Sequence, residues 1–178
     1  LRADVTVLDL NPRALNRIDG IYRGTVDTVF STAHEIEKEL LESDLVIGAV
    51  LVPGAKAPTL VPDELVARMK PGSVLVDVAI DQGGCFESSR PTTHDDPVYK
   101  VHDSLFYCVA NMPGAVANTS TQALANATLP YALALAEHGW PGAAKVMPGL
   151  SDGLMTHEGA LRNRPVADAL DLDYVPAP

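Results

Sequence analysis

Short apolar runs alternate with longer amphipathic stretches along the first two thirds of the chain. The apolar runs predict strands at residues 5–8, 25–30, 45–50, 73–80 and 105–110. The stretches between them predict helices at residues 12–22, from a cap at Ser31 or Thr32 to Leu41, and at residues 62–69. Strands separated by helices in this order give right-handed crossovers, so the pattern predicts an α/β fold with a doubly wound parallel sheet.

The pattern changes near residue 118. Residues 119–137 predict one long helix that is rich in alanine and leucine and interrupted at Pro130, and glycine and proline punctuate the remainder. We therefore predict two parts, a sheet domain at residues 1–118 and a helical C-terminal segment at residues 119–178. Because an alanine-rich helix with little polar surface usually needs a partner, we expect this segment to pack against something besides the sheet.

The predicted sheet is incomplete at its start. A dinucleotide-binding sheet opens with a strand and a G-x-G-x-x-G turn, and an acid follows about 20 residues later at the end of the next strand. Here the first predicted strand ends at Asp9, which is the place of that acid. We therefore expect the chain to be a piece of a longer protein whose phosphate-binding turn lies outside it.

Composition narrows the function classes. A net charge of −10 argues against a phosphate backbone as partner, so nucleic-acid binding is not expected. No apolar run reaches the roughly 20 residues that span a bilayer, and no basic leader opens the chain, so we expect neither a membrane nor secretion. Cys85, Cys108 and the scattered histidines lack metal-ligand spacing, which predicts reduced thiols and no metal site.

Asp81 is the first catalytic candidate. An apolar run at residues 74–80 leads directly into this acid and the glycine pair Gly83 and Gly84. In open α/β sheets ligands bind at the carboxyl ends of the strands, and Asp81 would lie at that edge.

Other residues could bind a nucleotide at the same edge. Asp9 could accept hydrogen bonds from both ribose hydroxyls and repel a 2′-phosphate, which favours NAD over NADP, or it could be an ordinary turn aspartate. The small apolar loop that begins at Val50 suits an adenine ring or its sugar, or it is a plain loop. Asn111 could hold a nicotinamide carboxamide or simply form a turn. Arg90 could meet a pyrophosphate, shield a carboxylate, or remain a solvated loop arginine.

Several segments resemble the alanine dehydrogenase family. They are DLVIGAVLVPGAKAP at 44–58, MKPGSVLVDVAIDQGGCFE at 69–87, SRPTT at 89–93, VHDSLFYCVANMP at 101–113 and THEGAL at 156–161. The related transhydrogenase alpha subunit shares the KPGSV strand but typically carries an Ala-Glu-Asn-Gly-Gly type of sequence where this chain has Ile80, Asp81 and Gln82. The resemblance implies a Rossmann-like NAD-binding domain followed by a segment that returns to the family's substrate domain.

The resemblance also implies which residues hold NAD. On the adenosine side it implies Asp9 and Ser31, with Val50 and Leu51 lining the site. On the nicotinamide side it implies residues that follow the later strands, namely Ile80, Asp81, Arg90, Val109, Ala110, Asn111 and Met112. Asp81 corresponds to the family's catalytic aspartate. A magnesium site described for some members would use a glutamate where this chain has Ala134, so the resemblance implies no metal here.

The activity implied by the resemblance is the reversible oxidative deamination of L-alanine to pyruvate and ammonia with NAD. Asp81 would orient the attacking ammonia or water and stabilise positive charge on nitrogen. The other catalytic groups belong to the family's first domain, so the chain alone is expected to be inactive, and the assembled enzyme to be a cytoplasmic homo-hexamer. Two alternatives stay open: a nucleotide-binding module or pseudoenzyme, and a transhydrogenase-like subunit.

Overall fold

Strands and helices alternate through the first part of the computed structural model, which describes residues 3–176. The chain divides into two units. The first unit contains residues 3–50 and 57–110, and the second contains residues 51–56 and 111–176. The domain boundary predicted near residue 118 stays a prediction.

The six strands of the first unit form two sheets. They are β1 (Thr6–Asp9), β2 (Asp27–Phe30), β3 (Leu45–Gly48), β4 (Val74–Asp77), β5 (Val98–Val101) and β6 (Ser104–Tyr107). β1 and β2 pair in parallel, with Thr6 opposite Asp27. The other sheet has the order β3-β4-β6-β5, in which β4 runs parallel to β3 and β6 and only β5 is antiparallel. This architecture confirms the predicted α/β fold with a parallel sheet.

Local capping signals set the helices of the first unit. Helix α1 (Pro12–Tyr22) begins after Asn11, whose side chain accepts a hydrogen bond from the Arg13 N–H, and it ends at Arg23 in a left-handed conformation. Helix α2 (Ala33–Glu42) begins after Thr32, whose hydroxyl accepts from the Glu35 N–H at 3.2 Å. Helix α3 (Asp63–Val66) is shorter than the predicted 62–69, because single turns continue the chain to Met69.

The four-stranded sheet carries the core of the first unit. Leu75 on β4 and Phe106 on β6 are completely buried. The Phe86 ring meets the Phe106 ring edge-on, with 5.9 Å between centroids. A Cβ atom at Gly48, the last residue of β3, would collide with the Cys85 sulfur and would lie 2.8 Å from the Phe86 ring. The loop after β4 therefore packs directly on the end of β3.

Three expectations about the later strands were wrong. The strand predicted at 73–80 ends at Asp77, because the Asp77 side chain accepts from the Ala79 N–H and turns the backbone into a 3-10 turn at Val78–Gln82. Residues 98–101, predicted as loop, form β5, which joins β6 through a turn with His102 at φ 49°. The strand predicted at 105–110 is β6, which ends earlier at Tyr107.

The second unit is mainly helical. It contains a 3-10 turn (Met112–Val116), α4 (Ala117–Val146), α5 (Gly149–Asp152), β7 (Thr156–His157), β8 (Ala160–Leu161) and α6 (Arg164–Leu170). α4 does not break at Pro130 as predicted; its backbone leaves helical geometry at Gly139, where φ is 64°. Glycine has no Cβ to oppose that angle, and Pro141 follows it. Among the helices of residues 3–176, none has the length and apolar character needed to cross a bilayer.

Candidate functional site

The predicted site residues of the first unit follow the carboxyl ends of its parallel strands. Asp9 is the last residue of β1, and Ser31 comes directly after β2. The Ser31 N–H donates to the Asp9 carbonyl oxygen at 3.0 Å, so the pairing of β1 with β2 brings these two residues together. Val50 follows β3, and Asp81 lies in the turn after β4. The carboxyl edge of such sheets is the place where ligands bind.

Asp9 forms a local turn. Its Oδ1 atom accepts a hydrogen bond from the Asn11 N–H at 2.7 Å, immediately before α1. This contact is the one that an ordinary turn aspartate makes, and the carboxylate is half-buried. Its assignment to a ribose stays a prediction.

The 3-10 turn after β4 separates the roles of two adjacent residues. Ile80 is 4% exposed and belongs to the hydrophobic core, whereas Asp81 is exposed. The turn closes with the Gly83 N–H donating to the Ile80 carbonyl and the Gly84 N–H donating to the Ala79 carbonyl, both at 3.0 Å. The Ile80 side chain thus anchors the turn in the hydrophobic core, while Asp81 is exposed to solvent. Only the backbone of Ile80 is available to line a cofactor.

Arg90 stacks on an aromatic ring. Its guanidinium carbon lies 3.9 Å from the centroid of the Tyr99 ring, a cation–π contact. The Arg90 N–H donates to the Tyr99 hydroxyl, which in turn donates to the Ser88 carbonyl, both at 2.9 Å. Arg90 is exposed yet held by β5, the strand that the sequence pattern did not predict.

Asp63, at the start of α3, was not among the predicted site residues. Its carboxylate accepts hydrogen bonds from the Ser88 hydroxyl and from His102 Nε2, the latter at 2.8 Å. The Ser88 hydrogen bond, followed by that of His102, holds the pKa of Asp63 below its ordinary value. The partners lie 25 and 39 residues away along the chain, so local sequence gave no signal for this contact.

Cys85 and Cys108 are free of each other and buried. Burial raises the pKa of Cys85 to about 12, and the nearby Asp77 carboxylate adds to this effect. Since the thiolate is the reactive form, a neutral buried Cys85 is not a nucleophile at neutral pH.

The remaining predicted residues divide between the two units. In the first unit, Val109 is fully buried and forms a bridge with Thr92, whereas Ala110 is exposed. In the second unit, Leu51 is 74% exposed and Met112 is half-buried. Asn111 adopts a left-handed conformation, and its carbonyl accepts from the Gly114 N–H, as in a turn.

The second unit also contains an apolar cleft of about 350 Å³. Trp140, Leu150 and Met155 are among the residues that line it. None of the predicted site residues lines this cleft, so it does not enter the site that the sequence predicted.

The fold is that of an α/β protein with parallel strands, the type in which nucleotides bind at the carboxyl edge of the sheet. The family can be assigned as well. The chain matches the family model described as "Alanine dehydrogenase/PNT, C-terminal domain" over residues 1–164, and it belongs to this family.

Individual relatives support this family assignment. The chain is 59% identical over 175 residues to the alanine dehydrogenase of Mycolicibacterium smegmatis, covering 98% of this chain and 47% of that protein. A solved structure of L-alanine dehydrogenase matches 95% of this chain and 46% of its own, with 44% identity and a TM-score of 0.80. A transhydrogenase structure from Sinorhizobium meliloti matches 67% of this chain and 35% of its own, with 26% identity and a TM-score of 0.60. The chain thus spans about half the length of the alanine dehydrogenases it matches.

Proposed function

We propose that residues 1–178 form the NAD-binding and C-terminal part of an alanine dehydrogenase, which deaminates L-alanine to pyruvate and ammonia. The observation that carries this proposal is Asp81, held outward at the carboxyl end of β4 by a turn anchored through Ile80. The 59% identity to a protein named alanine dehydrogenase supports it. As the resemblance implies, we include a homo-hexameric assembly and a cytoplasmic location in the proposal.

The residues at the carboxyl edge fit a nicotinamide cofactor. The Asn11 N–H engages Oδ1 of Asp9, and we assign Oδ2 to the hydroxyls of the adenosine ribose. Ser31, Val50 and Leu51 belong to the same adenosine side of the proposal. For the nicotinamide side we propose the backbone of Ile80, together with Asp81, Arg90 and residues 109–112. A nicotinamide cofactor held by these residues would supply the hydride acceptor for the substrate carbon.

Asp81 is the catalytic carboxylate of the proposal. Its exposed carboxylate can orient ammonia or water toward the substrate carbon and can stabilise positive charge that develops on nitrogen. Ile80, buried beside it, prevents the turn from moving away from the sheet. The groups that grip the substrate carboxylate are expected in the half of the relatives that this chain does not match.

The activity is tested on the complete gene product that contains these residues, by following NADH formation with L-alanine and NAD. We expect signal with NAD and little with NADP, because Asp9 would repel the 2′-phosphate. Asp81→Asn should lower kcat about 10²- to 10⁴-fold while NAD still binds. Asp95→Asn, an exposed acid of the loop before β5, is the matched control and should keep full turnover. Near-normal turnover of Asp81→Asn would refute the role given to Asp81.

The transhydrogenase match favours a second candidate function, hydride exchange between two nucleotides. A folded, NAD-binding gene product that reduces a nucleotide analogue with NADH, and shows no alanine-dependent NADH formation, would establish it. Binding of NAD with neither reaction would instead indicate a binding module or pseudoenzyme.

A further inference from the structure

Asp77 is a carboxylate that no solvent reaches. It is the last residue of β4 and has an exposed fraction of 0%. Since it is enclosed, it cannot touch a substrate or a cofactor. An acid that is completely buried needs internal donors, and those donors show what it holds in place.

The donors to Asp77 come from both sides of the turn that carries Asp81. On the near side, the Ala79 N–H donates to Oδ1 at 3.0 Å. On the far side, the Cys85 N–H donates to Oδ2 at 2.9 Å, and the Ser89 hydroxyl donates to the same oxygen at 2.5 Å. The Cys85 thiol approaches Oδ1 at 3.6 Å. One carboxylate therefore closes the segment from Val78 to Gly84 at both of its ends.

The glycine pair makes this closure possible. Gly84 has φ +80°, and a Cβ atom there would lie 2.8 Å from Asp77 Oδ2 and 2.6 Å from the Ser89 Cβ. A side chain at this position would push the far side of the segment away from the carboxylate. A glycine is thus needed at position 84, because the backbone there approaches the buried Asp77 carboxylate closely.

We propose that Asp77 is a positioning residue for Asp81, acting through the hydrogen bonds from Ala79, Cys85 and Ser89. The proposal rests on the function proposed above for Asp81. Asp81 lies four residues after Asp77 and four before Cys85, in the middle of the closed segment. Loss of one donor lets the segment open, and a displacement of about 1 Å at a reacting group can lower a rate about 10²-fold.

Ser89→Ala tests the proposal with little risk to folding, because Ser89 is only half-buried and the change removes one donor. Ser104→Ala is the matched control. Ser104 is 1% exposed and shares a hydrogen bond of 2.7 Å with Ser73, at the opposite, amino end of β4 and β6. Both variants lose one hydroxyl and its hydrogen bond, but only Ser89 donates to the carboxylate that closes the segment carrying Asp81.

In the complete gene product, we expect Ser89→Ala to lower kcat with alanine about 10-fold or more, while the KM for NAD changes less than about twofold. Ser104→Ala should keep the kcat of the unsubstituted protein, even if its Tm falls as much as the Tm of Ser89→Ala. Amide hydrogen exchange supplies a readout that does not depend on turnover. Exchange at the Cys85 amide and across residues 79–85 should accelerate in Ser89→Ala and not in Ser104→Ala.

Equal kcat and equal exchange in the two variants would overturn the proposal and leave Asp77 a purely structural group. An unsubstituted protein that is inactive with alanine would refute the proposed function instead. In that case the exchange comparison still decides whether Asp77 holds the segment around Asp81.

Discussion

At the scale of single residues, Asp63 links three parts of the first unit. Its carboxylate accepts from Ser88, which lies in the loop after β4, and from His102, in the turn between β5 and β6. Asp63 is also the first residue of α3, and its own N–H donates to the Glu87 carboxylate at 2.7 Å. The hydrogen bonds from Ser88 and then His102 favour the ionised form of Asp63 in the folded protein, which is why its pKa is lowered.

Asp63 should therefore contribute a stability that depends on pH. Because the folded pKa lies below the unfolded value, the contribution is present above the ordinary value of 3.8 and is lost as pH falls through the folded pKa. The difference in free energy of unfolding between the unsubstituted protein and Asp63→Asn should be constant near pH 6 and should shrink toward about pH 3. Urea unfolding at a series of pH values measures it.

Asp103→Asn is the control for general effects of acid. Asp103 is an exposed acid that pairs with Lys100 on the same hairpin. We expect its effect on unfolding to be small at every pH. A difference for Asp63→Asn that stays the same down to pH 3 would contradict the assignment.

At the scale of elements, the end of β3 and the loop after β4 form one packed contact. Gly48 leaves just enough room for the Cys85 sulfur and the Phe86 ring, and Phe86 continues the contact into the core at Phe106. The position of the loop that carries Asp81 thus depends on the absence of a side chain at Gly48.

Gly48→Ala should destabilise the protein by about 1–3 kcal/mol, because the added methyl group overpacks the contact. Denaturant unfolding measures the loss. Gly20→Ala serves as control, since Gly20 lies in α1 and a methyl group there would meet nothing within 4 Å, so alanine should stabilise by about 0.5–1 kcal/mol. Equal effects of the two changes would show that the Gly48 contact is not tight.

Elements with local signals could be predicted from the sequence, and those with distant partners could not. Pro12 in the first turn of α1 and the cap at Thr32 before α2 are local signals, so both helices were predicted closely. β5 is an exception, because Val98, Tyr99 and Val101 favour a strand and its partner β6 follows after a two-residue turn, yet the prediction missed it.

The place of Asp81 beyond the carboxyl end of a strand could be predicted from the apolar run before it, although the strand itself ends four residues earlier, at Asp77. The donors that enclose Asp77 could not be predicted, because they lie up to 12 residues away. An acid inside an otherwise apolar run is the one signal that could have indicated Asp77.

At the scale of the whole molecule, both sheets of the first unit have strands with one unpaired edge. Among residues 3–176, β1 pairs only with β2, and β3 pairs only with β4. On β3, Leu45 and Ile47 are 55% and 60% exposed, so its free edge also presents apolar side chains. Unpaired edges of this kind favour association with other strands, while the net charge of −10 opposes association between copies.

Residues 1–178, produced on their own, should therefore self-associate, and more strongly as salt screens the net charge. Raising sodium chloride from about 10 mM to about 0.5 M should increase the mean mass in sedimentation experiments. Ile47→Lys should reduce the association, because a lysine on an edge strand blocks pairing. Leu172→Lys, which replaces an equally exposed apolar residue far along the chain, should not. A single monomeric species at all salt concentrations would contradict this prediction.

The cleft of the second unit has a practical consequence for spectroscopy. Trp140, which lines that cleft, is the single tryptophan of the chain, and the first unit contains none. Fluorescence excited at the indole band therefore reports on the helical unit alone, and the sheet unit stays optically silent in that channel. Comparing this emission with circular dichroism, which records both units, would reveal whether they melt in one transition or in two.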